Sequence, residues 1–135
     1  MLRALFFTLL TLIATPACSE CALTDTSYAN SGGGETSTTL MLHTNNTFTL
    51  MHKTWQPGHY DKQKKSISKG NWSCNHEQLT LKINDNALTA KITTVGSNPL
   101  GINEKAKALS FGPNTITTLD YLANEILYPK SLVSD

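Results

Sequence analysis

The fold of this chain is decided by one stretch of its sequence, Thr38-Thr39-Leu40-Met41-Leu42-His43-Thr44-Asn45-Asn46-Thr47-Phe48-Thr49-Leu50. Its apolar side chains recur at every second position on both sides of an asparagine pair. Leu40 and Leu42 share one face of the first segment, and Phe48 and Leu50 share one face of the second. A two-residue period indicates a strand with one buried face, and asparagine tolerates the backbone geometry of tight turns. We therefore expect a β-hairpin here.

The same period continues downstream. Further strands are expected at residues 66–74, 79–83, 87–94 and 106–111. Their connections are too short for crossover helices, which predicts an antiparallel meander. Curling covers the apolar face of such a sheet and protects its edges. The predicted fold class is therefore mainly β: a small antiparallel meander barrel of six or seven strands, lipocalin-like or OB-like.

The C-terminal tail has two interpretations. Leu119, Leu122, Ala123 and Ile126 have helical spacing, which favours a short C-terminal helix. The run Ile126-Leu127-Tyr128, directly before Pro129, is equally compatible with a strand that closes the sheet. The sequence leaves both open.

The N-terminus has the layout of a signal peptide. One positive residue, Arg3, precedes an apolar run at residues 4–14 that is too short to span a bilayer, and Pro16 and Ala17 lead to Cys18. Residues 18–37 are rich in Ser, Thr and Gly, which is typical of a flexible tether. The predicted organisation is a signal peptide at 1–17, a tether at 18–37 and a single β-barrel domain at 38–135.

Composition and motifs exclude some functions. The net charge is +1 and only 16% of residues are charged, so nucleic acid is not an expected partner. The serine, histidine and acidic residues stand in no nucleophile-elbow context and show no paired-carboxylate pattern. We therefore predict no catalytic residues and no enzymatic activity.

The chain has three cysteines, an odd number for an exported protein. Lipidation of Cys18 would use one sulfur, and Cys21 and Cys74 would then remain for a disulfide in an oxidising compartment. The alternatives are simple cleavage to a soluble product, and two free thiols at Cys21 and Cys74.

A soft-metal site is a further hypothesis. Thiol, imidazole and thioether groups suit copper, and the candidate ligands are Cys18, Cys21, Met41, His43 and Met51. Met41 and His43 are in phase on one strand, beside Met51 across the hairpin. The competing interpretation is exposed polar residues and methionines at the edge of the core.

The loop after the hairpin has several aromatic groups: Trp55, His59 and Tyr60, interrupted by Pro57. Such a loop suits the rim of a binding site for a ligand or partner. It is also compatible with aromatics that pack on the barrel itself.

Several of these motifs are shared with a known family. They are the run from Glu35 to Leu50, Gly70-Asn71-Trp72, Gln78-Leu79-Thr80-Leu81 and Cys18-Ser19-Glu20-Cys21. Over residues 35–111 they resemble the N-terminal domain of NlpE, the envelope-stress and copper-resistance lipoprotein of Gram-negative bacteria. The chain departs from that family in one respect: its Cys-x-x-Cys adjoins the cleavage site instead of lying inside the mature domain.

The resemblance implies a small barrel on an envelope lipoprotein, with a sensing or binding role. We expect a lipid anchor facing the periplasm, at the outer membrane, and another envelope protein as partner in envelope stress or copper response. The alternatives are a small-ligand or metal-binding periplasmic barrel and a secreted enzyme inhibitor.

Overall fold

The computed structural model describes residues 21–23, 25–30, 34–94 and 106–133. Their eight strands are β1 Ser27–Ala29, β2 Thr36–Leu42, β3 Thr47–Thr54, β4 Lys64–Cys74, β5 Gln78–Ile83, β6 Asn86–Thr94, β7 Lys107–Phe111 and β8 Ile126–Pro129. Neighbours in the chain pair antiparallel, and β1 pairs with β8, so the sheet is a closed barrel. The prediction of a mainly β meander barrel is confirmed.

The central hairpin has the expected register. Leu40 lies opposite Leu50, and Leu42 lies opposite Phe48. All four side chains point into the barrel and are buried. Asn46 adopts a left-handed backbone with φ of 64°, the geometry that asparagine tolerates in a tight turn. The alternation of the sequence therefore sets which face of the hairpin lines the core.

Side chains from all around the barrel fill its interior. One buried cluster contains leucines from β2, β3, β5, β6, β7 and β8 together with Tyr28, Phe48 and Phe111. Leu119 and Leu122, from the 3-10 helix Thr117–Leu122, belong to the same cluster. This helix lies between β7 and β8 in the chain and contributes these two leucines to the core.

The segment at 18–37 is not simply a tether. Residues 27–29 form β1, Tyr28 has no exposed surface, and β2 begins at Thr36 and not at Thr38. The alternation was hidden because β1 is only three residues long and has one large apolar side chain. The predicted signal peptide, Cys18 and the glycines Gly32 and Gly33 lie outside the described residues.

Both interpretations of the tail hold in part. Residues 117–122 form a 3-10 helix and not an α-helix, and Ile126–Pro129 is the closing strand β8. The helical spacing of Leu119 and Leu122 buries both side chains. Because β1 and β8 complete the sheet, the barrel has eight strands instead of six or seven. Neither helix in the described ranges has the length and hydrophobicity of a membrane-crossing segment.

Cys21 and Cys74 form a disulfide, as predicted. It joins the segment before β1 to the end of β4 across 53 positions of sequence. A covalent loop of this length stabilises the folded state by about 4 kcal/mol in the chain-entropy picture. The N-terminal part of the described chain is thereby fixed to the barrel at this end.

Candidate functional site

Strand β4 has two halves with different neighbours. Residues 71–74 pair with β5, whereas residues 64–70 pair with β3 and have no β5 partner. Strand β5 ends at Ile83 and turns at once through Asn84, whose φ is 54°. The first half of β4 therefore extends past the end of β5, and we call residues 65–69 the free edge.

The backbone phase shows what the free edge presents. In an antiparallel ladder, alternate residues direct both backbone groups to the same neighbour. The Trp72 N–H donates to the Asn46 carbonyl on the β3 side, at 2.8 Å. Every second residue before Trp72 shares this orientation toward β3, so the intervening residues face the other way. Lys65, Ile67 and Lys69 therefore direct their N–H and C=O groups away from β3. In the described ranges, no backbone group bonds to them from that side.

The surroundings of the free edge are basic. Five lysines lie between positions 53 and 69, against one acidic residue, Asp61. Lys65 and Lys69 are exposed on the outer face, and Ile67 between them is 52% exposed. On that face Ile67 lies opposite Met51 of β3. The outer surface at the free edge therefore has an apolar centre with a cation on each side.

A groove of about 490 Å³ adjoins the start of β4. Its lining residues are Thr54, Trp55, Gln56, His59, Lys62 and Lys64. The Trp55 and Tyr60 rings meet edge to face, with their centroids 5.2 Å apart, while Tyr60 remains 69% exposed. The two rings of the aromatic loop therefore pack on each other, and Trp55 also lines a surface groove. The binding role of this loop stays a prediction.

A polar group lies inside the barrel near the 3-10 helix. The imidazole of His52 stacks on the ring of Tyr121, with centroids 3.9 Å apart, and its Nδ1 shares a 2.9 Å hydrogen bond with Thr38 Oγ1. Desolvation lowers the pKa of His52, and the carboxylate of Asp120 partly opposes this.

The hydroxyl of Tyr121 is buried without a hydrogen-bond partner in the part of the chain that the structure describes. Burial raises the pKa of Tyr121, the nearby Ser68 hydroxyl opposes the rise, and the Asp120 carboxylate adds to it. His52 and Tyr121 therefore favour their neutral forms in the fold, which suits two rings that pack on each other beside the core.

The candidate metal ligands are only partly together. Met41 lies opposite Thr49 and Met51 opposite Thr39, so the two thioethers are diagonal neighbours on the outer face. His43 Nε2 shares a 2.9 Å hydrogen bond with Thr49 Oγ1. The prediction of Cys21 as a metal ligand is wrong for the oxidised protein, because its sulfur is in the disulfide and is not a thiolate.

Cys18, the remaining proposed metal ligand, lies outside the described residues. Within the described ranges, no three His, Cys, Asp or Glu side chains are grouped as a metal ion would require. The copper site stays a prediction with a reduced ligand set.

Sequence reasoning missed the free edge and its lysines. Lys62-Gln63-Lys64-Lys65 is a local basic cluster at the start of β4, in a chain of which only 16% of residues are charged. That cluster was a signal the sequence did contain. The length difference between β4 and β5 was not visible from the sequence, because alternation marks faces and not the ends of paired strands.

Comparison of the chain with protein-family models, with curated proteins and with solved structures finds no significant match.

Proposed function

We propose that this chain is a non-enzymatic binding domain of the bacterial cell envelope, exported by its N-terminal segment and held at the membrane by a lipid on Cys18. The observation that supports this most is the Cys21–Cys74 disulfide. Such bonds persist in oxidising compartments such as the periplasm and are rare in the cytosol. The pairing also leaves Cys18 as the third, unmatched cysteine of the chain, which is the one next to the predicted cleavage site.

The filled interior favours binding on the outside of the barrel. Leu40, Leu50, Leu79, Leu109 and Leu127 have no exposed surface and pack on one another. An eight-stranded barrel is about the size at which side chains fill the interior or leave space for one small ligand. This packing supports protein contacts over the small-ligand alternative. The groove beside Trp55 and the free edge supply external contact surface.

Sensing in envelope stress, with another envelope protein as partner, follows from the resemblance to the N-terminal domain of NlpE and is part of the proposal. The β-hairpin, the Gly70-Asn71-Trp72 motif and the closed barrel are compatible with it. The copper role has less support, because Cys21 is oxidised and His43 is engaged with Thr49. We therefore place protein binding first.

The anchor is tested by the intact mass of the chain after extraction from the membrane fraction. We expect a protein that begins at Cys18 and has the added mass of a diacylglycerol group. A Cys18→Ala variant, which lacks the sulfur that the lipid needs, is expected in the soluble periplasmic fraction. A wild-type chain of unmodified mass in that fraction would refute the anchor.

The copper alternative has its own measurement. Copper(I) titration of the oxidised chain, compared with a Met41→Ala, Met51→Ala double variant, reports whether the thioethers bind metal. We expect no saturable binding in either. Saturable binding by the wild type that the double variant loses would favour the metal-binding barrel instead.

A further inference from the structure

The free edge is a regular strand whose outer backbone groups have no strand partner in the part of the chain that the structure describes. Lys65, Ile67 and Lys69 together present three N–H donors and three C=O acceptors away from β3, in the spacing that another strand matches. Edges of this kind are the sites at which extended peptides add to a sheet. The geometry supplies the hydrogen bonds for such an addition.

The side chains of the free edge select the chemistry of an added strand. The outer face has Lys65, Ile67 and Lys69 in order, and an added strand would place its own outward side chains beside them. Carboxylates beside the two lysines and an apolar residue beside Ile67 give the favourable pairing. Lys62 and Lys64 in the adjoining groove extend the positive surface beyond the start of β4.

The same lysines disfavour a second copy of this chain. If two free edges paired antiparallel about Ile67, Lys65 of one copy would lie opposite Lys69 of the other. Like charges directly opposite each other destabilise a strand pair, and edge lysines are a common protection against self-association. The occupant that fits is therefore acidic.

We propose that the free edge binds an extended, acidic peptide segment of another protein by strand addition, with glutamate or aspartate flanking an apolar residue. This inference deepens the proposed binding role and rests on it for its biological meaning. Its test, however, uses purified protein and has an outcome separate from that of the membrane anchor.

The test is titration of the chain, purified from the envelope in a neutral detergent, with a capped peptide that contains glutamate, threonine, valine, threonine and glutamate in that order. As an extended strand, this peptide has both glutamates and the valine on one face. We expect saturable binding that weakens with salt, and shifts of the amide resonances of Lys65, Ile67 and Lys69 on isotope labelling. The same peptide with lysine in place of both glutamates is expected not to bind. The glutamate peptide N-methylated at both glutamates and at the valine, which keeps the charge but loses the donors that face the free edge, is also expected not to bind.

Variants test the same surface from the protein side. Lys65→Glu with Lys69→Glu is expected to weaken binding by at least about tenfold, since both charge pairs become repulsive. The matched control, Lys82→Glu with Lys91→Glu, makes the same charge change at exposed positions of β5 and β6 and is expected to leave affinity within about twofold. Ile67→Pro is expected to prevent binding and keep the barrel folded, because the Ile67 N–H is not bonded to β3.

Four results would overturn the proposal. Equal binding of the N-methylated peptide would mean that charge alone acts, without strand addition. Binding of polygalacturonate at the same lysines, with none of the peptide, would assign the surface to an anionic saccharide. Concentration-dependent shifts of the three amides in the chain alone would assign it to a second copy. If neither the peptide nor the saccharide binds and the chain does not self-associate, the lysines serve only to protect the edge from self-association. The intact mass of the same preparation reports the anchor independently.

Discussion

The two halves of β4 belong to one strand but differ in nearly every property. Residues 71–74, the supported half, pair with β5, and Cys74 forms a disulfide with Cys21. Residues 64–70, the free half, pair in the described ranges with β3 alone, and residues 64–67 are all exposed. The difference shows that a single regular strand can supply both barrel wall and accessible edge. The part of β4 that β5 is long enough to pair with belongs to the barrel wall, and the part beyond the end of β5 is the accessible edge.

The largest expected effect concerns the supported half. Replacing both Cys21 and Cys74 with serine removes the covalent loop and is expected to lower the free energy of unfolding by about 4 kcal/mol. Urea unfolding of the double variant measures the loss, and the wild type in reductant is the matched control because it lacks the same bond. A loss below about 1 kcal/mol would mean that β1 holds the N-terminal segment without the disulfide.

A core substitution next to the supported half comes second. Leu81 lies opposite Trp72 and is 1% exposed, so Leu81→Ala is expected to cost about 3 kcal/mol through lost burial and a cavity. On the free half, Ile67→Ala is expected to change stability by less than about 0.5 kcal/mol. Equilibrium denaturation of both variants gives the comparison. Similar losses in the two would show that the free half is covered in the folded chain.

The boundary between the halves lies at Gly70. A Cβ there would overlap the carbonyl oxygen of Lys82 and lie 2.9 Å from a ring carbon of Phe48. Gly70→Ala is therefore expected to destabilise by about 2 kcal/mol, since backbone must move to admit the methyl group. Gly112→Ala is the control, because no atom lies within 4 Å of its added Cβ. Thermal unfolding of the pair measures the difference, and equal melting temperatures would contradict the close packing of β4 on β5.

The smallest expected effect is the pH dependence from His52, which lies opposite Ser66 of the free half. Its pKa is lower in the fold than the ordinary value of 6.5, so below that pH the unfolded chain binds more protons than the folded one. Stability contributed by neutral His52 is thus present above about pH 6.5 and is lost as the pH falls through the lowered pKa.

His52→Gln is expected to reduce this loss, and His76→Gln, at an exposed turn, is expected to keep it. Urea unfolding at a series of pH values from neutral to mildly acidic measures the two slopes. An unchanged slope in His52→Gln would assign the acid sensitivity to other groups.

Much of the barrel wall was predictable because alternation is a local property. Where one face of a strand is exposed to solvent, apolar residues two positions apart mark the buried face. Three such pairs are Phe48 and Leu50, Leu79 and Leu81, and Leu88 and Ala90. The disulfide was predicted by counting, since lipidation of Cys18 would leave Cys21 and Cys74 as the remaining pair. The candidate site was predictable only through the aromatic loop. Its free edge depends on where β5 ends.

The sequence by itself determined a meander of half-buried strands and their inward faces, because the hydrophobic period is a local property of each segment. The tertiary structure alone decided that Ser27–Ala29 and Ile126–Pro129 close the barrel, since three- and four-residue strands gain their stability from partners distant in sequence. It also decided that residues 65–69 have, among the described residues, no strand partner on one side. That outcome depends on the relative lengths of neighbouring strands, which no local pattern records.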